Sequence, residues 1–466
     1  VSPTPLRRAV AALALLLAVV VAGSACTRTV IGQASPDAGG VKKNAAPSDL
    51  PIENGNGSKI DQLVANSLDD VMTYWDEQFK KTFGKSMPKL EGGVHAYEPD
   101  QSEPIPCFAD NEKQYAANNA FYCPTEDAIA YDRKFLTELV KEFGEFIVPL
   151  VFAHEFGHAI QDRVGVQSDK SIAWEGQADC YAGVFTHAAV DGTAHFKATD
   201  ADLDTVLGGY LMLRDEPGAS ADDQMAHGSA FDRVGAFQEG FNEGGKHCYT
   251  SFGKDRQYTE IAYTSTDKAN EGNLPYDETL QTIPPAMNAF GQAVVGTDWQ
   301  DVPASGFSGS SAKCDGKPSD EQVFYCPADT TVHYAETKLL QQSYDKFGDF
   351  AAMAAVGLGY AAAIQDESGT KIDGKKPFEQ RLCLVGAFAG GAFEATVSNK
   401  PSPTSGDLKL SAGDLDEAVM LLIAIGEDDA FVQTYGIDSF DRINTFREAV
   451  LAGRDDPEGA AKSCLG

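Results

Sequence analysis

Two histidines four residues apart, His154 and His158, stand in the segment VFAHEFGHAIQD with Glu155 between them. The spacing predicts a helix that opens near Pro149, which a first helical turn tolerates, and ends before Gly165. On a helix, residues i and i+4 project from one face, so both imidazoles can share one zinc ion. The carboxylate of Glu155 reaches a water beside such a metal more easily than the metal itself, which suits it to act as a general base. Alone, the string HExxH also fits two surface histidines on an ordinary helix, so the neighbouring elements have to decide.

A second segment, SIAWEGQADCYAGVF, supplies Glu175 seventeen residues after His158. The spacing between Ser168 and Gly192 again predicts a helix, and Gly165 provides the turn that lets the two helices lie antiparallel. Glu175 is the candidate third ligand. Asp179, one turn further on the same face, can accept the remaining ring N–H of a metal-binding histidine and fix its tautomer. The apolar neighbours Trp174, Tyr181 and Val184 speak against a merely solvated face. Two histidines and one carboxylate leave a fourth zinc position open, as a catalytic site requires, and the cysteines lack the CxxC spacing of a closed structural one. His227 is a further candidate, since an imidazole opposite the metal can donate a hydrogen bond to a developing oxyanion. A histidine in the loop before the helix that Ser229 starts is an equal reading. Arg233 reads as a structural ion-pair partner for nearby acids.

These residues resemble the neutral zinc metallopeptidase family, through HEFGH at His154, EGQADCYAG at Glu175 and HGSAFDRVGAFQEG at His227. The resemblance covers roughly Ala120 to Gly244, and Gly176 replaces the leucine usual after the ligand glutamate. It implies a zincin-like peptidase fold, similar also to the thermolysin-type gluzincins, and hydrolysis of peptide bonds in a peptide or protein substrate. It further implies that Ala128 to Tyr131 forms an edge strand that aligns an extended substrate by backbone pairing. Two other classes remain open: an envelope binding or scaffold lipoprotein with a relic metal site, and a metal-dependent amidase acting on cell-wall peptides.

The chain also repeats itself at a period near 205 residues, the size of a whole domain. FYCPTEDAIAY at Phe121 returns as FYCPADTTVHY at Phe324, FGEF at Phe143 as FGDF at Phe347, and AIQD at Ala159 as AIQD at Ala363. SAFDRVGAFQE at Ser229 is echoed by DSFDRINTFRE at Asp438. The expected fold is therefore helix-rich α+β, tandemly duplicated, with domains at 58–250 and 251–466. Cys107, Cys123, Cys180 and Cys248 are answered by Cys314, Cys326, Cys383 and Cys464, which selects the pairing Cys107–Cys123, Cys180–Cys248, Cys314–Cys326 and Cys383–Cys464. A shift of 204 puts Leu358, Gly359 and Ala362 where His154, Glu155 and His158 stand, with Cys383 near the place of Glu175 and Ala387 near that of Asp179. One Zn2+ per chain is thus expected. A rebuilt second site around His333 lacks any histidine pair at ligand spacing.

The formal net charge of -32 opposes binding to phosphate backbones and excludes nucleic acid as an expected partner. Arg7 and Arg8 precede an apolar run from Ala9 to Ala22, then Gly23, Ser24, Ala25 and Cys26. That pattern reads as a signal peptide over residues 1–25, cut before a cysteine that is then acylated as a membrane anchor. Nine cysteines leave Cys26 over if the other eight pair, as an oxidising extracytoplasmic compartment permits. Ordinary secretion after cleavage near Ser24 or Ala25 is the alternative. Residues 26–57, rich in Ala, Gly, Pro, Ser and Asn, read as a flexible tether from Cys26.

Overall fold

The computed structural model describes residues 40–466 apart from 102, 213, 216, 219–226, 260, 266, 310, 320 and 428–433. The expected signal segment, Cys26 and the tether as far as residue 39 lie outside the described residues. The chain is a helix-rich α+β protein divided into two compact units. The first ends at Tyr258 rather than at the expected Thr250, because Arg256 packs over the Phe252 ring and pairs with Glu239 at 2.9 Å. The second holds Thr259–Gly466, and Pro217 and Gly218 belong with it.

In the first unit, α1 (Lys59–Phe83) starts where the Ser58 side chain accepts the Asp61 N–H and stops at Gly84, whose φ of 73° suits a residue without Cβ. Its buried stripe contains Val64, Leu68, Val71, Trp75 and Phe79. Strands β1 (Gly93–Tyr97), β2 (Ala120–Cys123) and β3 (Ala128–Asp132) form one sheet in the order β1-β3-β2, with β1 parallel and β2 antiparallel to β3. Asp132 then caps α2 (Arg133–Phe143) by accepting the Lys134 N–H at 2.9 Å. Helices α3 (Ile147–Val164), α4 (Ser171–Asp191), α5 (Asp200–Met212), α6 (Ala230–Glu243) and α7 (Gly245–Ser251) follow.

Two expectations are corrected here. The strand at Ala128 to Tyr131 is not an edge: β1 and β2 pair with both of its sides, and the strand open for pairing next to α3 is β2. Alternating apolar residues mark a strand but not its neighbours, and short β1 has no sequence signal of its own. Residues 40–57, expected as part of the tether, are held by backbone pairing instead. Val41 bridges Phe196, Lys42 N–H donates to His195 O at 2.8 Å, and Glu53 exchanges hydrogen bonds with Val94 and Ala96 beside β1. Backbone groups supplied by β1 and the 193–197 loop satisfy this segment, which its own side chains cannot reveal.

Helix α3 is buried almost all round from Ile147 to Gln161, as befits the central element of a core, and it packs against α1 and α4. Helices α4 and α6 cross so closely that a Cβ on Gly183 would fall 2.0 Å from Phe237 O, and one on Gly240 would fall 1.8 Å from Cys180 O. The glycines at these two places are a condition of the crossing.

The second unit runs through α8 (Tyr276–Val295), β4 (Ala304–Phe307), the hairpin β5 (Ala312–Cys314) and β6 (Lys317–Ser319), β7 (Val323–Cys326), β8 (Thr331–Ala335) and α9 (Gln341–Phe347). It continues with α10 (Asp349–Glu367), α11 (Lys375–Val397), α12 (Asp414–Ala424), α13 (Ser439–Asp455) and α14 (Pro457–Leu465). Its three-stranded sheet has the order β4-β8-β7, with β4 parallel and β7 antiparallel to β8. Helix α10 is buried from Asp349 to Gln365. Disulfides join Cys107 to Cys123 and Cys180 to Cys248 in the first unit, and Cys314 to Cys326 and Cys383 to Cys464 in the second.

Candidate metal centre

The antiparallel pair α3 and α4 brings His154, His158 and Glu175 to one point. His154 Nε2 lies 3.2 Å from His158 Nε2 and 3.4 Å from Glu175 Oε2, and His158 Nε2 lies 3.7 Å from Glu175 Oε1. A tetrahedral zinc with bonds of about 2.0–2.1 Å has ligand-to-ligand edges of about 3.3 Å. The three donors therefore fit three corners of such a tetrahedron, with nitrogen and oxygen atoms of the types zinc prefers.

Each histidine is held by its other nitrogen. Asp179 Oδ1 accepts the Nδ1 proton of His154 at 2.7 Å, and Arg233 donates to the same carboxylate through Nε at 2.8 Å and Nη2 at 3.0 Å. Gln161 sits against His158, its Oε1 2.8 Å from Nδ1, while its Nε2 donates to Trp174 O at 2.6 Å. A backbone carbonyl must face the amide NH2 group, so the amide oxygen faces His158 and fixes the proton on Nδ1. Both Nε2 lone pairs then point toward Glu175.

Electrostatics favour a cation at this point. Burial alone would lower the pKa of His154, but Asp179, Glu175 and Glu155 outweigh it and raise it to about 10. Burial alone would raise Glu175, yet His158 and His154 hold it well below the ordinary carboxylate range. Asp179 is likewise depressed, by Arg233 and His154 against its burial. In the metal-free protein the cation is a proton, and a divalent metal competes for the same place.

Glu155 projects from α3 beside the histidines, and its Oε2 accepts the Tyr122 N–H from β2 at 2.9 Å. Its pKa is raised, chiefly by burial and further by Glu175, with the two histidines opposing. A carboxyl shifted upward takes and returns a proton more readily near neutral pH. His227 lies close enough for the Glu175 charge to act on it, and its Nδ1 and backbone N–H both bind Asp215, at 3.0 and 2.6 Å. Asp215 and Glu175 raise the His227 pKa against the effect of burial. Sequence reasoning missed Gln161, Asp215 and the Tyr122 N–H. Gln161 stood in view in the repeated AIQD, whereas Asp215 carries no pattern and a backbone N–H is invisible to composition.

Residues 7–252 match the model of a family described as "Putative neutral zinc metallopeptidase". The chain belongs to that family. An uncharacterised protein of Mycobacterium tuberculosis, Rv2575, is 30% identical in an alignment of 159 positions, gaps included, that covers 28% of this chain and 54% of the relative. The uncharacterised protein YpfJ of Escherichia coli is 27% identical in an alignment of 158 positions, gaps included, that covers 29% of this chain and 54% of the relative. The chain thus spans about half the length of the curated relatives it matches. No solved structure matches it.

The second unit holds no such cluster of histidines among the described residues; His333 pairs with Asp329 at 3.0 Å. One alignment is corrected. Gln365 Nε2 donates to Pro377 O at 2.9 Å, the counterpart of Gln161 to Trp174 O, and Cys383 answers Cys180. Both relations set a shift of 203 across α11, so Phe378 and Leu382, rather than Cys383 and Ala387, stand in the places of Glu175 and Asp179. The segment from Gln365 to Pro377 is one residue shorter than that from Gln161 to Trp174, and one such deletion between α10 and α11 moves every later position.

Proposed function

We propose that the first unit is a zinc-dependent peptidase with a zincin-like fold, and that the second is a copy of it without the zinc site. The observation that carries the reading is the convergence of two imidazole Nε2 atoms and one carboxylate at tetrahedral spacing, with Glu155 beside them. His154, His158 and Glu175 would hold one Zn2+ per chain. When bound, the metal supplies a Lewis acid that lowers the pKa of the attacking water and polarises the scissile carbonyl. Glu155 takes the proton from that water and returns it to the leaving amine. Asp179 and Gln161 hold the two imidazoles in the required tautomers. His227, oriented by Asp215, donates a hydrogen bond to the oxyanion. Strand β2, the edge beside α3, pairs with the backbone of an extended peptide or protein substrate.

The site of action we propose is the extracytoplasmic face of the cell membrane, through a lipid on Cys26. Four disulfides support an oxidising compartment. No helix among the described residues is long and apolar enough to cross a membrane. Mass spectrometry of the mature N-terminus should find a diacylglyceryl Cys26, and an unmodified terminus near Ala25 would exclude the anchor.

Activity is tested on a peptide library with chelator control. Glu155→Gln should keep one zinc per chain and lose hydrolysis, whereas His158→Ala should lose both. Full activity of purified Glu155→Gln would remove the proposed base.

A further inference from the structure

In the second unit, Asp349, Asp414 and Glu417 offer carboxylate oxygens that lie within 4.8 Å of one another, and all three residues are buried. Asp349 opens α10, and Asp414 and Glu417 occupy the first turn of α12. Gly348 lets the chains approach: a Cβ there would fall 2.1 Å from a Glu417 oxygen. Glu417 Oε2 accepts the Phe350 N–H at 2.9 Å, Asp349 Oδ2 accepts the Leu274 N–H at 3.2 Å, and Asp414 accepts the N–H and hydroxyl of Ser411.

These contacts do not balance the charge. The strongest charge effects on Asp414 come from Asp349 and Asp267, and those on Glu417 from Asp414 and Asp349, all of them acidic. Burying three like charges without a counter-charge is prohibitive, so the cluster has to hold either protons or a cation. The second observation separates these. Asp349 Oδ1 is buried and has no hydrogen-bond partner among the described residues, with Asp349 only 3% exposed. No N–H or O–H donor among the described residues reaches that oxygen, and the nearest groups that could share a proton with it are the other two carboxylates, themselves in need of counter-charge. A cation between the carboxylates satisfies it directly.

We propose that Asp349, Asp414 and Glu417 form a binding site for a hard divalent cation, Ca2+. A donor set of carboxylate oxygens alone, without nitrogen or sulfur, disfavours zinc. Three protein carboxylates exceed the one or two through which Mg2+ is usually held. The site is not a remnant of the zinc centre. Leu358 and Ala362, which answer His154 and His158, lie nine and thirteen residues along α10 from Asp349, about 13 to 20 Å away. The inference stands whether or not the first unit is a peptidase.

The test is calorimetric titration of CaCl2 into the chelator-stripped full-length chain, with MgCl2 and ZnCl2 titrated in parallel. One Ca2+ per chain is expected, with a dissociation constant of about 10−3 M or tighter and Mg2+ at least roughly 10-fold weaker. Asp414→Asn and Glu417→Gln should each weaken Ca2+ at least about 100-fold, while their thermal midpoints in chelator equal or exceed the parent's, because each removes a repulsive charge. The unchanged midpoint separates lost binding from lost folding, and Asp349→Asn serves if either variant is insoluble. No Ca2+ bound by the parent up to millimolar concentration, binding untouched by all three substitutions, or a preference for Mg2+ or Zn2+ at this site would each overturn the assignment.

Discussion

Replacing Asp179 by asparagine separates two tasks that one carboxylate performs. Asp179 is wholly buried, orients His154 at 2.7 Å and pairs with Arg233, whose side chain is 5% exposed. The amide keeps the shape and loses the charge, so Arg233 stays buried and loses the carboxylate that its Nε and Nη2 donate to. Removing one partner of a buried ion pair costs about 3–5 kcal/mol. At about 2–4 °C per kcal/mol for a unit of this size, the zinc-free first unit should melt about 6–20 °C lower. Zinc affinity should separately fall by about 10–100-fold, because the ring of His154 is no longer held and its Nε2 is a weaker donor. The double variant Asp179→Asn, Arg233→Met isolates the two effects. It removes the buried cation as well and should recover most of the melting temperature, yet zinc affinity should stay low. Calorimetry in chelator measures the first quantity, and competition with a chromophoric zinc chelator at pH 7 measures the second. Zinc affinity that returns in the double variant, or a single variant that melts like the parent, would refute the division of labour.

Gln161→Met should lower zinc affinity by about 10–100-fold through His158, and a metal affinity equal to the parent's would show that the imidazole is held by other means. Asp61 accepts from Tyr131 at 2.6 Å, Arg133 at 3.0 Å and the Asn56 N–H at 2.8 Å. Burial would raise its pKa, but these partners hold it below the ordinary value. Its stabilisation is therefore present above the unfolded pKa near 4 and is lost as pH falls through the lower folded value. Asp61→Asn should cost about 2–4 kcal/mol at pH 7, with the gap from the parent closing below pH ~4; a gap independent of pH in denaturant titrations would contradict the ionic contribution.

The parts legible in sequence were those with a period or a fixed spacing. The stripe from Val64 to Phe79 and its glycine stop mark α1, and HExxH followed by EGQAD marks α3 and α4 with their polar side chains on one face. The parts that escaped depend on long-range backbone pairing. Nothing in AIAY says that β1 will add beside it, and nothing in residues 40–57 says that β1 and the loop at His195 will hold them. A hydrogen bond such as Tyr122 N–H to Glu155 joins residues 33 positions apart and leaves no trace in side-chain composition.

What stands in the second unit at the places of His154, Glu155 and Asp179 follows from the same elements in the register set by the repeat. Gly359 answers Glu155, and a Cβ there would meet Val332 Cγ1 at 2.5 Å and Val323 Cγ2 at 3.1 Å. Valines of β8 and β7 fill the space in which the first unit keeps a carboxylate against β2, so restoring glutamate alone would overpack this core. Arg442 answers Arg233 and is just as buried, but its usual partner's place holds Leu382. The guanidinium turns instead to backbone, donating through Nε to Leu422 O at 2.8 Å, with further bonds to Ile437 O and Ser439 Oγ. The close crossing of the two helices is also present: a Cβ on Gly386 would fall 2.3 Å from Phe446 O, as one on Gly183 would fall 2.0 Å from Phe237 O. What both units retain, the glutamine latch, the buried arginine and the glycine crossing, is what holds the helices together. What only the first holds, His154, Glu155, His158 and Glu175, is a set of polar groups whose burial together costs free energy and calls for a chemical reason.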